Sequence, residues 1–101
     1  MGFNLIYSKA AINDLENIKD SSDQKFIISK IESILTQHPF PFGKTVKRIK
    51  EVEPPLYRLR VNAKQSYRIF YRITDKTVNI EKVVPKKDAH KVLKRLFFVI
   101  L

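Results

Sequence analysis

The sequence predicts an α+β fold in which two N-terminal helices pack on one face of a twisted antiparallel sheet, with a short helix at the C-terminal end. Apolar residues recur at helical spacing in the first forty residues, and the period changes to about two from Val46 onward. The later β-like runs are joined by short loops, which is typical of an antiparallel meander. With 101 residues, of which 44% are hydrophobic, we expect one domain over residues 1–101 in the order β-α-α-β-β-β-β.

The first part of the chain contains one predicted strand and a helical hairpin over residues 8–38. The apolar, β-prone run 3–7 predicts the strand, and Ser8 is a suitable N-cap for the helix that follows. After the polar break at 19–23, Ser22 or Asp23 can cap a second helix. The residues that recur at helical spacing are Ala11, Leu15 and Ile18 in the first helix and Ile27, Ile28, Ile31, Ile34 and Leu35 in the second. Pro39 and Pro41 end the second helix.

The second part predicts four further strands and a short helix. The strands are expected at 46–50, 56–61, 66–73 and 77–84, and the helix at about 91–96. If Val61 pairs with Tyr67, the apolar rows of the two middle strands share one face and their arginines gather on the other. The last strand then pairs Val78 with Ile73, Ile80 with Tyr71 and Val84 with Tyr67, which leaves Lys82 on the apolar face without an explanation.

The charge balance points to an anionic partner. Twenty Lys and Arg stand against ten Asp and Glu, a formal net charge of +10. Nucleic acid, an anionic membrane and an acidic protein are the candidate partners, and a merely basic surface is the alternative. The two glycines are too few for a GxGxxG loop, and no P-loop pattern is present.

Several other classes of function are disfavoured. The sequence has no cysteine, its two histidines are far apart, and no HExxH or Cys/His cluster occurs, so we expect neither a metal nor a cofactor. The absence of cysteine also favours a reducing cytoplasm. The N-terminus has no cationic segment followed by a long apolar run, and we expect no signal peptide. The apolar run 96–101 is too short to span a bilayer; it should pack on the sheet or a helix edge, or join a protein contact.

The predicted cationic sheet face is the candidate functional site. Arginine binds phosphate through its planar fork, and aromatic rings among such cations can stack on unpaired bases. The predicted floor and rim consist of Arg58, Arg60, Arg68 and Lys86, and the predicted RNA contacts are Lys47, Lys50, Lys87 and the stacking candidate Phe70. The alternatives are a solvated face for the arginines and, for Phe70, burial under a loop or the C-terminal segment.

These segments together resemble one known family. The strings VKRIK at 46–50, YRLRV at 57–61, YRIFYRI at 67–73 and VPKKDAH at 84–90 occur in an order similar to that of the RelE/ParE toxin superfamily. The opening YSKAA at 7–11 and the segment 39–43 are similar to members as well. The chain departs from the common pattern at Glu51, where glycine is usual, at Pro85 and Lys86, where His and Arg are usual, and at His90, where Tyr is common.

The resemblance implies a toxin of a type II toxin–antitoxin pair with a cognate antitoxin as partner. Its RelE-like branch implies an endoribonuclease that cleaves mRNA in the ribosomal A site by attack of the 2′-OH without a metal. The branch's catalytic cations correspond to Arg58, Arg60, Arg68 and Lys86, and His90 corresponds to its C-terminal acid or base. A ParE-like inhibitor of DNA gyrase and a non-catalytic nucleic-acid-binding module are the alternatives, and the fold alone does not decide between them.

Overall fold

The computed structural model describes residues 2–97, and the predicted α+β class is confirmed. In this part of the chain the elements are β1 (Asn4–Tyr7), α1 (Lys9–Glu16), α2 (Ser21–Leu35), β2 (Val46–Arg48), β3 (Tyr57–Asn62), β4 (Ser66–Thr74), β5 (Thr77–Pro85) and α3 (Lys86–Phe97). The predicted packing of the apolar run 96–101 falls largely outside the described residues. No helix among residues 2–97 is long and apolar enough to cross a membrane.

The five strands form one sheet in the order β1-β5-β4-β3-β2. The meander from β2 to β5 is antiparallel as expected, whereas β1 pairs with β5 in parallel. The sheet is therefore mixed, and the prediction of a wholly antiparallel sheet was wrong for its first strand. The helical hairpin carries the chain from one edge of the sheet to the other, which leaves β1 parallel to the last strand.

Both N-terminal helices begin with a side-chain cap. The Ser8 side chain accepts a hydrogen bond from the Ala11 N–H, as the sequence predicts. Asp20, rather than Ser22 or Asp23, caps α2, since its carboxylate accepts from the N–H groups of both later residues. The hydrogen bond from the Ser22 hydroxyl, followed by those from the Asp23 N–H and the Lys64 ammonium, holds the pKa of Asp20 well below its usual range.

The helix-covered face of the sheet holds the main core. Leu59, Val61, Ile69, Tyr71, Val78 and Ile80 from the strands pack with Ala11, Leu15, Ile27, Ile31 and Leu35 from the helices. Val61 pairs with Tyr67, as the hydrophobic alternation requires. The hydroxyl of buried Tyr71 donates to the Pro39 carbonyl oxygen at 2.7 Å, which ties the end of the hairpin to the sheet.

A β-bulge in β5 corrects the predicted register. The pairs of Val78 with Ile73 and Ile80 with Tyr71 are as expected, but a register shift at Phe70/Tyr71 sets Tyr67 opposite Pro85 instead of Val84. The extra residue keeps both Ile80 and Val83 in the main core. Lys82, unexplained by the sequence, extends to Asp14 of α1, with its Nζ 3.0 Å from the carboxylate.

A second, smaller core covers part of the opposite face. Phe70 and Val84 pack there with Val52 and Leu56 of the loop that joins β2 to β3, and residues of α3 close over them. In this loop, Glu51 has a φ of 64°, a left-handed conformation that favours glycine. The departure from the family pattern at Glu51 thus falls where a glycine would adopt the backbone at lower cost.

Candidate nucleic-acid interface

Several cations project from the face of the sheet opposite the two N-terminal helices. We call four of them, Lys47, Arg58, Arg60 and Arg68, the arginine face. Lys47 lies directly opposite Arg58 across β2 and β3, and Arg60 lies directly opposite Arg68 across β3 and β4. Cross-strand partners project to the same side of a sheet, so two neighbouring rows of positive charge lie beside the second core.

Among the described residues, no carboxylate forms an ion pair with Arg58, Arg60 or Arg68. Within residues 2–97, the ion pairs are Arg48–Glu53, Lys64–Asp20, Arg72–Glu81 and Lys82–Asp14. Arg72 lies on the same strand as Arg68, but Glu81 holds its guanidinium at 3.0 Å. The cations of the arginine face therefore repel one another, and an anion placed among them would relieve that repulsion.

Burial strengthens this repulsion. Arg68 is only 6% exposed, and its Nη1 donates to the Tyr67 carbonyl oxygen at 3.1 Å. Burial, followed by the charges of Arg60 and Arg58, lowers the pKa of Arg68. Burial and the charge of Arg60 likewise lower the pKa of Arg58.

The arginines also retain unused hydrogen-bonding capacity. In the described part of the chain, the buried Nε atoms of Arg58 and Arg60 have no hydrogen-bond partner. A buried N–H without an acceptor is unfavourable, and phosphate oxygens are acceptors that fit the guanidinium fork. Arg58 does use its Nη2, which donates to the Lys44 carbonyl oxygen at 3.0 Å and fixes the side chain toward the loop before β2.

Helix α3 begins earlier than predicted and includes Lys86, Lys87 and His90, all exposed. On its α1 side, Asp88, Lys91 and Arg95 border a cleft with the end of α1. Lys86 and His90, one helical turn apart, lie on the opposite flank by helical spacing.

Two predicted RNA contacts lie elsewhere. Phe70 is 1% exposed in the second core, so its predicted role in stacking on a base is wrong for this structure: the ring is already enclosed by Leu56, Val84 and α3. The alternative of burial under a loop and the C-terminal segment is what is observed. Strand β2 ends at Arg48, two residues short of the prediction, which leaves Lys50 exposed in the following turn.

Sequence analysis missed the loop that precedes β2. The prolines of its segment HPFPFGK at 38–44 predict only the end of a helix, but Phe40 and Phe42 of this segment remain partly exposed. The sequence signal for this loop is the string Pro-Phe-Pro-Phe at 39–42, which is followed two residues later by Lys44. No group of three or more His, Cys, Asp and Glu side chains in the described residues is arranged to hold a metal ion.

Comparison with known proteins gives one family and several solved structures of the same fold. The family model for the ParE toxin of the type II toxin–antitoxin system parDE matches residues 5–96. No curated protein matches the chain. Among solved structures, the RelBE2 toxin–antitoxin complex from Mycobacterium tuberculosis contains a chain that is 20% identical with a TM-score of 0.70, covering 85% of this chain and 100% of that one.

Two further structures have the same fold. The archaeal RelE–RelB complex from Pyrococcus horikoshii OT3 contains a chain that is 23% identical with a TM-score of 0.67, covering 85% of this chain and 97% of that one. A mutant of E. coli toxin RelE in the free state is 16% identical with a TM-score of 0.67, covering 95% and 99% of the two chains.

Proposed function

The chain belongs to the ParE toxin family of type II toxin–antitoxin systems, within the RelE/ParE superfamily. Within this superfamily, we propose that it is a toxin that cleaves mRNA on the ribosome. The observation that carries the proposal is the arginine face, where three guanidinium groups lie together without a carboxylate partner among residues 2–97. A gyrase inhibitor needs no such site for a phosphate, whereas a ribonuclease does.

The chemistry would use the 2′-OH of the RNA itself. This oxygen loses its proton to a base and attacks the adjacent phosphorus, so that the O2′–P bond forms while the P–O5′ bond breaks. The leaving O5′ takes up a proton, and the products are a 2′,3′-cyclic phosphate and a 5′-OH end. Negative charge grows on the phosphoryl oxygens during the attack, and preorganised cations stabilise it.

Each residue of the proposed site has a separate role in this reaction. Arg68, assisted by Arg58, is the proposed stabiliser of the charge on the reacting phosphate, and Arg60 holds the neighbouring phosphate. His90 is the proposed acid or base, since histidine side chains exchange protons near neutral pH. Lys86, on the same flank of α3, and the adjacent Lys87 attract the RNA backbone.

The proposal includes partners and a location. A cognate antitoxin is the expected protein partner, because two of the similar structures are toxin–antitoxin complexes. The reaction requires a translating ribosome and therefore the cytoplasm. An antitoxin that restores growth after induction of the chain would support the toxin assignment.

Mapping of mRNA ends after induction tests the proposal. We expect new 5′-OH ends within translated reading frames for the unmodified chain and none for Arg68→Ala. Arg48→Ala removes the same charge from an exposed arginine that pairs with Glu53, and it should cleave normally. Intact mRNA at a dose of the unmodified chain that arrests growth would contradict the proposal.

Gyrase inhibition is the second candidate, and the match of residues 5–96 to the ParE family model favours it. A supercoiling assay with purified gyrase separates the two functions. We expect no inhibition by this chain at concentrations that cleave mRNA in a translating extract. Inhibition that survives Arg68→Ala, with mRNA left intact, would assign the chain to the second function.

A further inference from the structure

The arginine face continues into a row of uncharged polar side chains. Asn62, the last residue of β3, lies directly opposite Ser66, the first residue of β4. Each is two residues from an arginine of its own strand, Arg60 on β3 and Arg68 on β4, so both project to the same side of the sheet as the arginines. The polar row lies about 6–7 Å further along the strands than the row of Arg60 and Arg68.

A cleft opens beside this polar row. It lies between the β3–β4 hairpin and the beginning of α3, has a volume of about 430 Å³ and is lined by Gln65, Ser66, Lys86 and Lys87. Sites for small ligands have volumes of roughly 300–1,000 Å³, so the cleft can admit a nucleobase. The two lysines add positive charge that attracts a nucleic-acid strand to the cleft.

The side chains of the polar row are available to a ligand. Asn62 is exposed and Ser66 is half-buried. Within residues 2–97, neither side chain forms a hydrogen bond or an ion pair with another residue. Asparagine carries a donor and an acceptor on one planar group, and its characteristic paired contact is with N6 and N7 of adenine. Single-stranded RNA leaves such base edges accessible.

We propose that Asn62, at the mouth of the cleft lined by Ser66, hydrogen-bonds the edge of the base next to the phosphate held by Arg60, and that the site prefers adenine at this position. This inference rests on the proposed RNA-cleaving function and adds a base-reading position to it. The arginines bind any strand through its phosphates, whereas Asn62 distinguishes one base from another.

Binding of two non-cleavable strands tests the proposal. The probes are fluorescent decamers of 2′-O-methyl nucleotides, whose blocked 2′ oxygens cannot attack a phosphate. One probe consists of uridine alone, and the other has a single adenosine at its centre. We expect the unmodified chain to bind the adenosine probe about 5-fold more tightly, the lower end of the discrimination by a paired contact, because Asn62 is exposed. Asn62→Ala should bind the two probes equally and should keep its affinity for the uridine probe.

Asn79 provides a matched control. It alternates with core residues of β5 and so projects from the same side of the sheet as the arginine face, directly opposite Arg72. Here Glu81 holds the Arg72 guanidinium at 3.0 Å, so the arginine beside this asparagine is already paired. Asn79→Ala should keep the full preference for the adenosine probe. Equal losses of preference in Asn79→Ala and Asn62→Ala would overturn the inference.

The arginine variants separate this inference from the proposed function. Arg58→Ala and Arg68→Ala should weaken binding of both probes by the same factor and leave the preference for adenosine unchanged. If they weaken binding while Asn62→Ala keeps the preference, base reading by Asn62 fails and the proposed function stands. The same conclusion follows if the unmodified chain binds both probes equally. If neither arginine variant weakens binding, the proposed function itself fails, and this inference fails with it.

Discussion

Arg68 combines low exposure with a charge that no acidic group in residues 2–97 balances. A cation in this setting is unfavourable for the folded chain, since it loses hydration and lies opposite another arginine. Such a residue is retained where function requires it, and the unfavourable energy is recovered when an anion binds.

Replacing Arg68 with an apolar residue should therefore stabilise the chain while removing its activity. We expect Arg68→Met to raise the free energy of unfolding by about 1 kcal/mol or more, because it removes a desolvated charge and keeps an unbranched side chain of similar length. Urea denaturation measures the change. Arg48→Met, at an exposed ion pair, should lie within about 0.5 kcal/mol of the unmodified chain. A clearly destabilised Arg68→Met would indicate that Arg68 supports the fold rather than a ligand.

Phe70 shows how strand parity can mislead at the level of one residue. It alternates with the arginines and shares their face, but the loop between β2 and β3 and helix α3 cover this part of the sheet. The parity was predictable from the sequence, whereas the cover depends on contacts between distant segments of the chain.

Truncation of the Phe70 side chain should destabilise the second core. We expect Phe70→Ala to lower the free energy of unfolding by about 3–5 kcal/mol, as other buried phenylalanines do. Thermal denaturation measures the loss, and Phe70→Leu should lose less because it leaves a smaller cavity. If Phe70→Leu folded normally but lost affinity for single-stranded RNA, Phe70 would have a role in binding as well as in the core.

At the scale of elements, α1 and β5 are joined at the bulge. The Asp14 carboxylate accepts from the Val83 N–H at 2.9 Å and from the Lys82 Nζ at 3.0 Å. Strand β1 pairs with β5 only as far as Ile80. Beyond this point, the Asp14 carboxylate accepts a hydrogen bond from the β5 backbone at Val83.

Loss of this carboxylate should weaken the docking of α1. We expect Asp14→Ala to lower the free energy of unfolding by about 1–3 kcal/mol, because it leaves the Val83 N–H and the Lys82 ammonium without their partner. Glu16→Ala, on an exposed position of the same helix, is the control and should change stability little. Chemical denaturation compares them, and similar values for the two variants would contradict this account of the bulge.

The helices and strands were largely predictable from the sequence, but the way in which separate segments meet was not. Alternation of apolar residues fixed the pairing of Val61 with Tyr67, because slipping by one residue would expose the core face. The bulge near Ile80, the parallel pairing of β1 and the early start of α3 depend on how separate segments meet, and one sequence carries only weak signals of that.

The same limit applies to the candidate site. The gathering of Arg58, Arg60 and Arg68 follows from strand parity and was predictable. The attachment of Arg58 to the loop at Lys44 depends on a side chain that crosses to a neighbouring segment. Such contacts have no periodic signature in the sequence.

At the scale of the whole molecule, the net charge of +10 is unevenly distributed. The acidic groups Asp14, Asp20, Glu53 and Glu81 pair with Lys82, Lys64, Arg48 and Arg72, which leaves the arginine face without an acidic partner among the described residues. Because three of its four cations are arginines crowded on two neighbouring strands, we expect anion binding to be strongest at this face.

The salt dependence of oligonucleotide binding tests whether anions bind mainly at the arginine face. We assume that Lys47, Arg58, Arg60 and Arg68 each neutralise one phosphate of a single-stranded oligonucleotide of ten 2′-O-methyl nucleotides. The logarithm of the association constant should then fall with log[salt] with a slope of about −2.8. Arg68→Ala should reduce the magnitude of the slope by about 0.7, and Arg48→Ala should not change it. Anisotropy titrations at several salt concentrations give the slopes, and equal reductions for both variants would indicate diffuse binding by net charge.

Sequencing of 5′ ends from a translating extract tests the central claim most directly, since it observes the cut itself. We expect 5′-OH ends within reading frames when the purified chain is added, loss of these ends with Arg68→Met although that variant is folded, and normal ends with Arg48→Ala. Ends that persist with folded Arg68→Met, or mRNA that stays intact with the unmodified chain, would contradict the claim that the arginine face cleaves RNA.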